Sequence, residues 1–476
     1  MKKKRPHFTM AVYNLKPMLF LLVFPILRGI IYGGKAFLTG AYYDFLILLA
    51  LIGLSIIKWH RSSYTVSSQL TTFHSSFILQ KKIRINNSSI ALAKLRRPFW
   101  MRPFRACTVE LYTDSKMKKP EFSVQMSYFE AQRFVCVAMP YERKGRSYKA
   151  NGMHRLLMPF LAANCIAGVI ACYIGIANSK KILGTSFLED AFVERLLETI
   201  NIVGTVAPPI IAFAISLVFL GFAVSMLVNI ERTFGFSVRR RGSVTTLNMG
   251  LVSKNLFYFN TDAINAIDTK RSISGIVFRN YPIYCSISGF DSADSPPIMI
   301  VSDKSGTAIQ ETLFSEFSFM LPQIVPNKKT MRSYIVFPLI ASTVFAVLAL
   351  TLLRYYTALF ASAGILCGIF LWWTAMRIYA QGKVGFSVNN GNLSVYHMKK
   401  FAVHNAAIPL DRIDYVTVRR LPHQYISKTC HIIIKTRGHA KKRSIFAFYY
   451  ADALAFSEYL KECIIKAREE KGEENA

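Results

Sequence analysis

Residues 386–420 read FSVNNGNLSVYHMKKFAVHNAAIPLDRIDYVTVRR. The stretch opens on an aromatic residue, a serine and a valine (Phe386-Ser387-Val388), turns at NNGN, and continues as the alternating run LSVYH. Two earlier stretches share this plan. Tyr64-Thr65-Val66 precedes LTTFH, and Phe236-Ser237-Val238 precedes VTTLN. The spacing from Phe73 to Ile90 is the same as from Leu247 to Ile264 and from Tyr396 to Ile413. A basic pair follows each isoleucine at one fixed offset: Arg96-Arg97, Lys270-Arg271 and Arg419-Arg420. Another alternating run with one cysteine comes next, as ACTVELYT, IYCSISGF and TCHIIIKT. Self-similarity at fixed spacing is the signature of one structural unit used repeatedly, here three times.

Within each copy, short runs rich in Val, Ile, Thr, Phe and Tyr are broken by Gly, Asn and Asp, as strands and turns are. HIIIKTRGHAKKRSIFAFYY reads as a hairpin with a basic turn. Each copy closes on a helical stretch: SYFEAQRFVCVAM, TLFSEFSFML, and DALAFSEYLKECIIKAREE. Strands first and one helix last predict a small β-sandwich or barrel with a C-terminal helix.

The chain is 52% hydrophobic, and its apolar residues gather in six blocks long enough to cross a bilayer. These lie at 15–33, 41–59, 156–177, 201–229, 334–353 and 357–376. The fold class expected is therefore an α+β membrane protein with six transmembrane helices in three hairpins, each followed by a cytoplasmic β domain. The expected order is a basic segment and first hairpin (1–60), domain 1 (61–152), second hairpin (153–230), domain 2 (231–330), third hairpin (331–377) and domain 3 with a charged tail (378–476). The first helix of each pair carries a proline (Pro25, Pro159, Pro338), which kinks a helix and frees a carbonyl. Lys2, Lys3, Lys4, Arg5 and Lys16 precede the first block, placing both termini in the cytoplasm. The segment 182–200 has helical apolar spacing with acids on its other face, as an outer-surface or packed loop helix has.

The net charge is +32, from 59 Lys and Arg against 27 Asp and Glu. In a membrane protein this predicts a basic surface against an anionic leaflet. The eight cysteines contain no CxxC and read as reduced thiols. No nucleic-acid recognition module accompanies the charge.

The order of elements resembles the bacterial pleckstrin-homology (PH) domain, and the alternation with paired helices resembles the YdbT-like family of bacterial membrane proteins. The likeness rests on the aromatic–Ser/Thr–Val start, the turn, the isoleucine before the basic pair and the late helix. It implies a PH-like fold in a bacterial plasma membrane and implies no particular ligand.

The three basic pairs are candidate contacts for lipid headgroups or anionic partners, since arginine suits bidentate phosphate binding. The alternative is a charged strand edge that resists unwanted pairing. Arg239-Arg240-Arg241 and Lys441-Lys442-Arg443 join them as candidates in turns. Arg28 and Asp44 form a candidate intramembrane pair. His74 and His397 occupy matching positions, where a polar contact is expected in place of a metal. No catalytic motif stands out, so neither an enzyme activity nor a cofactor is expected. The reading reached is a membrane-anchored scaffold or sensor binding anionic inner-leaflet lipids or protein partners, with self-association open to it. Its rival is a lipid or small-molecule transporter gated by the β domains.

Overall fold

The computed structural model describes residues 3–15, 34–76, 80–114, 120–142, 144–150, 152–163, 194, 197–198, 201, 209–290, 297–302, 313–317, 319–352, 357–389, 391–399, 402–421, 424–425, 427–437 and 442–473. The first third holds α1 (Thr9–Leu15), α2 (Gly34–Arg61), β1 (Ser63–Val66), β2 (Leu70–Ser76), β3 (Gln80–Asn86), β4 (Ile90–Arg97), β5 (Ala106–Thr113), β6 (Phe122–Ser127) and α3 (Tyr128–Ala138). Next come β7 (Arg146–Lys149), α4 (Gly152–Ala162), α5 (Pro209–Thr233), β8 (Ser237–Arg241), β9 (Val244–Met249), β10 (Lys254–Asn260), β11 (Ile264–Arg271), α6 (Ile273–Phe278), β12 (Asn280–Ile287) and β13 (Pro297–Ser302). The last part has α7 (Lys328–Leu352), α8 (Thr357–Ala380), β14 (Gly385–Asn389), β15 (Asn392–Lys399), β16 (Ala402–Pro409), β17 (Ile413–Arg419), β18 (Thr429–Thr436), β19 (Lys442–Tyr449) and α9 (Tyr450–Glu473).

The chain divides into two compact units. The first comprises residues 1–147, 238–263 and 287–291, and the second comprises 148–237, 264–286 and 292–476. The strands expected to form domain 2 are thus shared out, with β9 and β10 in the first unit and β11 and β13 in the second.

In the first unit, β1–β2–β3 form an antiparallel sheet, and a second sheet runs β6–β5–β4–β10–β9–β8 with the short β7 beyond. Alternation along these strands sends one set of side chains inward. Tyr64, Phe73, Phe122 and Phe134 make the centre of the core, the rings of Phe122 and Phe134 being stacked 5.7 Å apart. Helix α3 starts at Ser127, whose hydroxyl accepts from the Glu130 amide. Asn87 ties the first hairpin down: its Nδ2 donates to the carbonyls of Ser67 and Ser68, and its Oδ1 accepts from Thr71.

In the second unit, one sheet runs β13–β12–β11–β16–β15–β14 and another β17–β18–β19. Its core includes Phe386, Val395, Ile413, Ile432, Phe448 and Phe456, the last from α9. A 3-10 turn immediately precedes Ile90, Ile264 and Ile413 alike, at Asn87–Ser89, Thr261–Ala263 and Leu410–Arg412.

Both units contain a join between strands distant in sequence. Arg97 stands opposite Lys254, and Ala93 opposite Tyr258. Arg271 stands opposite Val403, and Ile267 opposite Ala407. Counted from Ile90 and Ile264 on one strand and from Ile264 and Ile413 on the other, the two registers are identical.

The helices correct the expected membrane architecture. Among the described residues one helix segment, Tyr334–Thr351 in α7, is long and apolar enough to cross a membrane, and Leu366–Ala380 is a shorter apolar helix. Six transmembrane helices in three hairpins are not seen. The residues before 16 belong to the first unit's β core: Lys4 bridges Tyr64, the His7 amide donates to the Gln125 carbonyl, and Met10 is buried. Helix α4 buries Met158, Pro159 and Leu161. Residues 16–33, 164–193 and 202–208, which hold much of the first, third and fourth expected spans and of the amphipathic segment, lie outside the described residues.

Candidate functional site

The three basic pairs divide by role. The second member of each lies over a tyrosine ring: Arg97 over Tyr128 at 4.9 Å, Arg271 over Tyr281 at 4.9 Å, and Arg420 over Tyr450 at 3.6 Å. Tyr128 and Tyr450 each begin the helix that closes their sheet. The Nε atoms of Arg97, Arg271 and Arg420 are buried without a hydrogen-bond partner. These three arginines serve packing through cation–π contact. The first members differ, since Arg96 and Arg419 are exposed and Lys270 is half-buried. The first two pairs also sit where joins form, Arg96 opposite Asn255 and Lys270 opposite His404.

After Arg97 the chain reads Pro98-Phe99-Trp100-Met101-Arg102-Pro103-Phe104-Arg105. Pro98 has no N–H for a strand ladder, so β4 stops there. A 3-10 turn follows at Phe99–Met101. Met101 is buried and accepts a hydrogen bond at Sδ from the Thr108 hydroxyl, which pins the loop from inside. The side chains of Phe99 and Phe104 are left 64% and 49% exposed. Arg105 adopts a left-handed conformation (φ 49°) and starts the return into β5, its carbonyl accepting from the Tyr128 amide. Arg102 reaches across to the β9–β10 turn, where Nη2 donates to the carbonyls of Leu251 (2.6 Å) and Val252 (2.8 Å). Both of those side chains are exposed. The Phe8 ring meets Phe104 edge-on at 5.4 Å. Arg102, Arg105 and the exposed side chains of Phe99, Phe104, Phe8, Leu251 and Val252 therefore lie on this loop or on the segments it contacts.

Arg239, Arg240 and Arg241 lie along β8 and precede the turn at Gly242. Arg239 is exposed, while Arg241 lies over Tyr141 at 5.1 Å. Lys442 is exposed and Lys441 lies outside the described residues. Arg443 is only 5% exposed, its Nη2 facing the Ser286 hydroxyl at 3.5 Å. Arg28, Pro25 and the side chain of Asp44 also lie outside the described residues. Pro159 and Pro338 are interior to α4 and α7.

Arg443 belongs to a polar cluster in the second unit that the sequence did not announce. Asp268 on β11 receives His404 Nδ1 of β16 at 3.0 Å, and the His397 ring stacks on His404 with centroids 5.3 Å apart. Burial acts to raise the Asp268 carboxyl, but the charge and hydrogen bond of His404 outweigh it and hold the group well below the usual carboxylate range. Burial, reinforced by His404, pushes the His397 imidazole down to about 3. Burial also lowers Arg443, against the pull of Asp268. Asp268, His404, His397 and Arg443 thus form a polar cluster whose closest contact, Asp268 to His404, crosses the β11–β16 join. The signal that locates it is register: Asp268 and Lys270 alternate with buried positions on β11.

Residues 20–135 match the family described as Bacterial PH domain. That match takes in α2, both sheets' strands from β1 to β6, and most of α3. No curated protein matches the chain.

Proposed function

We propose that this chain, carrying a bacterial PH domain at residues 20–135, is a non-enzymatic scaffold at the inner face of a bacterial plasma membrane. In this reading the 61–152, 231–330 and 378–476 stretches are three PH-like units of a YdbT-like protein, binding anionic lipid headgroups or protein partners. The observation that carries it is the shared register of the two joins, Arg97 to Lys254 and Arg271 to Val403. Strand pairing of that kind holds segments distant in sequence in one continuous sheet, which suits a platform. The excess of basic residues and the exposed Arg96, Arg239, Arg419 and Lys442 support contact with anionic groups.

The test is cell fractionation of the full chain, followed by native mass spectrometry of the detergent-purified protein with added phosphatidylglycerol or phosphatidylcholine. Recovery with membranes and selective retention of phosphatidylglycerol, weakened by salt, is the expected result. Recovery in the soluble fraction with no preference for the anionic lipid would refute the reading.

A further inference from the structure

We infer that the loop from Pro98 to Arg105 is an interfacial anchor that seats the first unit on an anionic bilayer, Phe99 and Phe104 entering the headgroup–acyl boundary with arginines among the phosphates. The inference rests on the membrane reading above and assigns its contact.

Two exposed phenylalanines, with Arg102 between them and Arg105 after the second, make a poor water-facing turn, because large exposed apolar side chains in a cluster cost solvation. Aromatic rings flanked by cations fit the boundary of a bilayer, where an apolar body and a charged head each find their phase.

The loop is also held rigidly. Met101 is held inside, Arg102 is fixed to the Leu251 and Val252 carbonyls, and Arg105 is tied to the start of α3. A loop so held presents its rings without a further ordering cost.

Contacts within the first unit place the loop next to helix α2. Helix α2 exposes Phe45, Ile47, Leu49, Ile52, Ile56 and Ile57, and its apolar run ends at Lys58 and Trp59. The Trp59 indole donates to the Pro6 carbonyl at 2.8 Å, His7 and Phe8 have ring centroids 4.5 Å apart, and Phe8 meets Phe104. The anchor thus lies beside the end of α2 at which apolar side chains give way to Lys58, Trp59, His60 and Arg61. Exposed apolar side chains of a helix and of a loop thus lie near one another, bordered by basic and aromatic residues. Their charge points to anionic headgroups, and a bilayer satisfies both at once.

The experiment places a nitroxide at Phe99→Cys and, separately, at Phe104→Cys, each in a background with Cys136→Ser, Cys367→Ser and Cys463→Ser, the free thiols among the described residues that are not buried. The full chain is reconstituted in nanodiscs of phosphatidylcholine with or without phosphatidylglycerol, with circular dichroism to check folding. Power-saturation measurements with oxygen and a water-soluble nickel complex then report depth. The expected result is oxygen access with nickel exclusion at both sites in the anionic nanodiscs, shifting toward nickel access when Arg96 and Arg105 are also changed to Glu. Nickel access at both sites in anionic nanodiscs would overturn the anchor, even if native mass spectrometry still found phosphatidylglycerol bound. Exclusion of both reagents would also overturn it, by showing protein over the loop.

Discussion

Asp268 and His404 face each other across the β11–β16 join, carboxylate oxygen to Nδ1 at 3.0 Å, although more than a hundred residues separate them in sequence. Their side chains are 19% and 15% exposed, so water screens the pair only weakly. The pair binds the two halves of one sheet at a point where β11 also carries Lys270, opposite His404, and Arg271.

Asp268→Ala is expected to lower stability by about 3 kcal/mol, because it strands the buried Arg443 without a nearby anion. Adding Arg443→Met should recover part of that loss. Thermal melts of the two variants and the parent check this; equal losses in the single and double variants would show that Arg443 does not depend on Asp268.

His397 gives the fold an acid sensitivity of definite sign. Its folded-state pKa is depressed to about 3, so between that value and the ordinary histidine value the unfolded chain binds the extra proton. Stability therefore falls as pH drops below about 6.5, by up to about 1.4 kcal/mol per pH unit. Asp268, also depressed, adds a loss that begins only below the ordinary carboxylate range. His397→Leu should flatten the loss in the upper window. Melting temperatures near neutral pH and about two pH units lower measure it; an unchanged slope would remove His397 as the cause.

Arg96 and Arg97 are adjacent and should behave differently. Arg97→Ala removes the ring contact with Tyr128 and is expected to cost about 1 kcal/mol in stability. Arg96→Ala should leave the melt unchanged and weaken phosphatidylglycerol retention. Matching effects of the two variants in both assays would contradict the division of roles.

Gly250 has φ 106°, and a Cβ there would run into the Ser253 carbonyl oxygen. Gly250→Ala should lower stability by about 2 kcal/mol and disturb the turn whose Leu251 and Val252 carbonyls hold Arg102. A melt indistinguishable from the parent would show that this turn relaxes freely.

Much of the local fold was legible. Alternation from Phe386 to Arg419 gave strands, and the isoleucines at 90, 264 and 413 each open a strand after a 3-10 turn. The tyrosines that begin α3 and α9 also lay in plain view, but their contact with Arg97 and Arg420 did not, because a ring stacks on whichever cation the fold brings over it. Arg443 looked like a surface charge in a basic turn and is buried, because β19 carries it inward beside Ser286. Apolar length alone suggested six crossings. Length cannot separate a helix bathed in lipid from one packed within a protein, and Met158 is an apolar residue of an expected span spent on packing.

The sequence by itself determined the periodicity of two along each strand, the placing of the turns, the three matched spacings and the strongly basic charge. These follow from local sterics and from side-chain composition, which act over a few residues. Only the tertiary structure decided that β4 joins β10 and β11 joins β16, and hence that Phe104 meets Phe8 on a rigid surface while Asp268 meets His404 inside. A strand edge offers the same row of N–H and C=O groups to any partner, so pairing is settled by packing between distant segments, which no local pattern encodes.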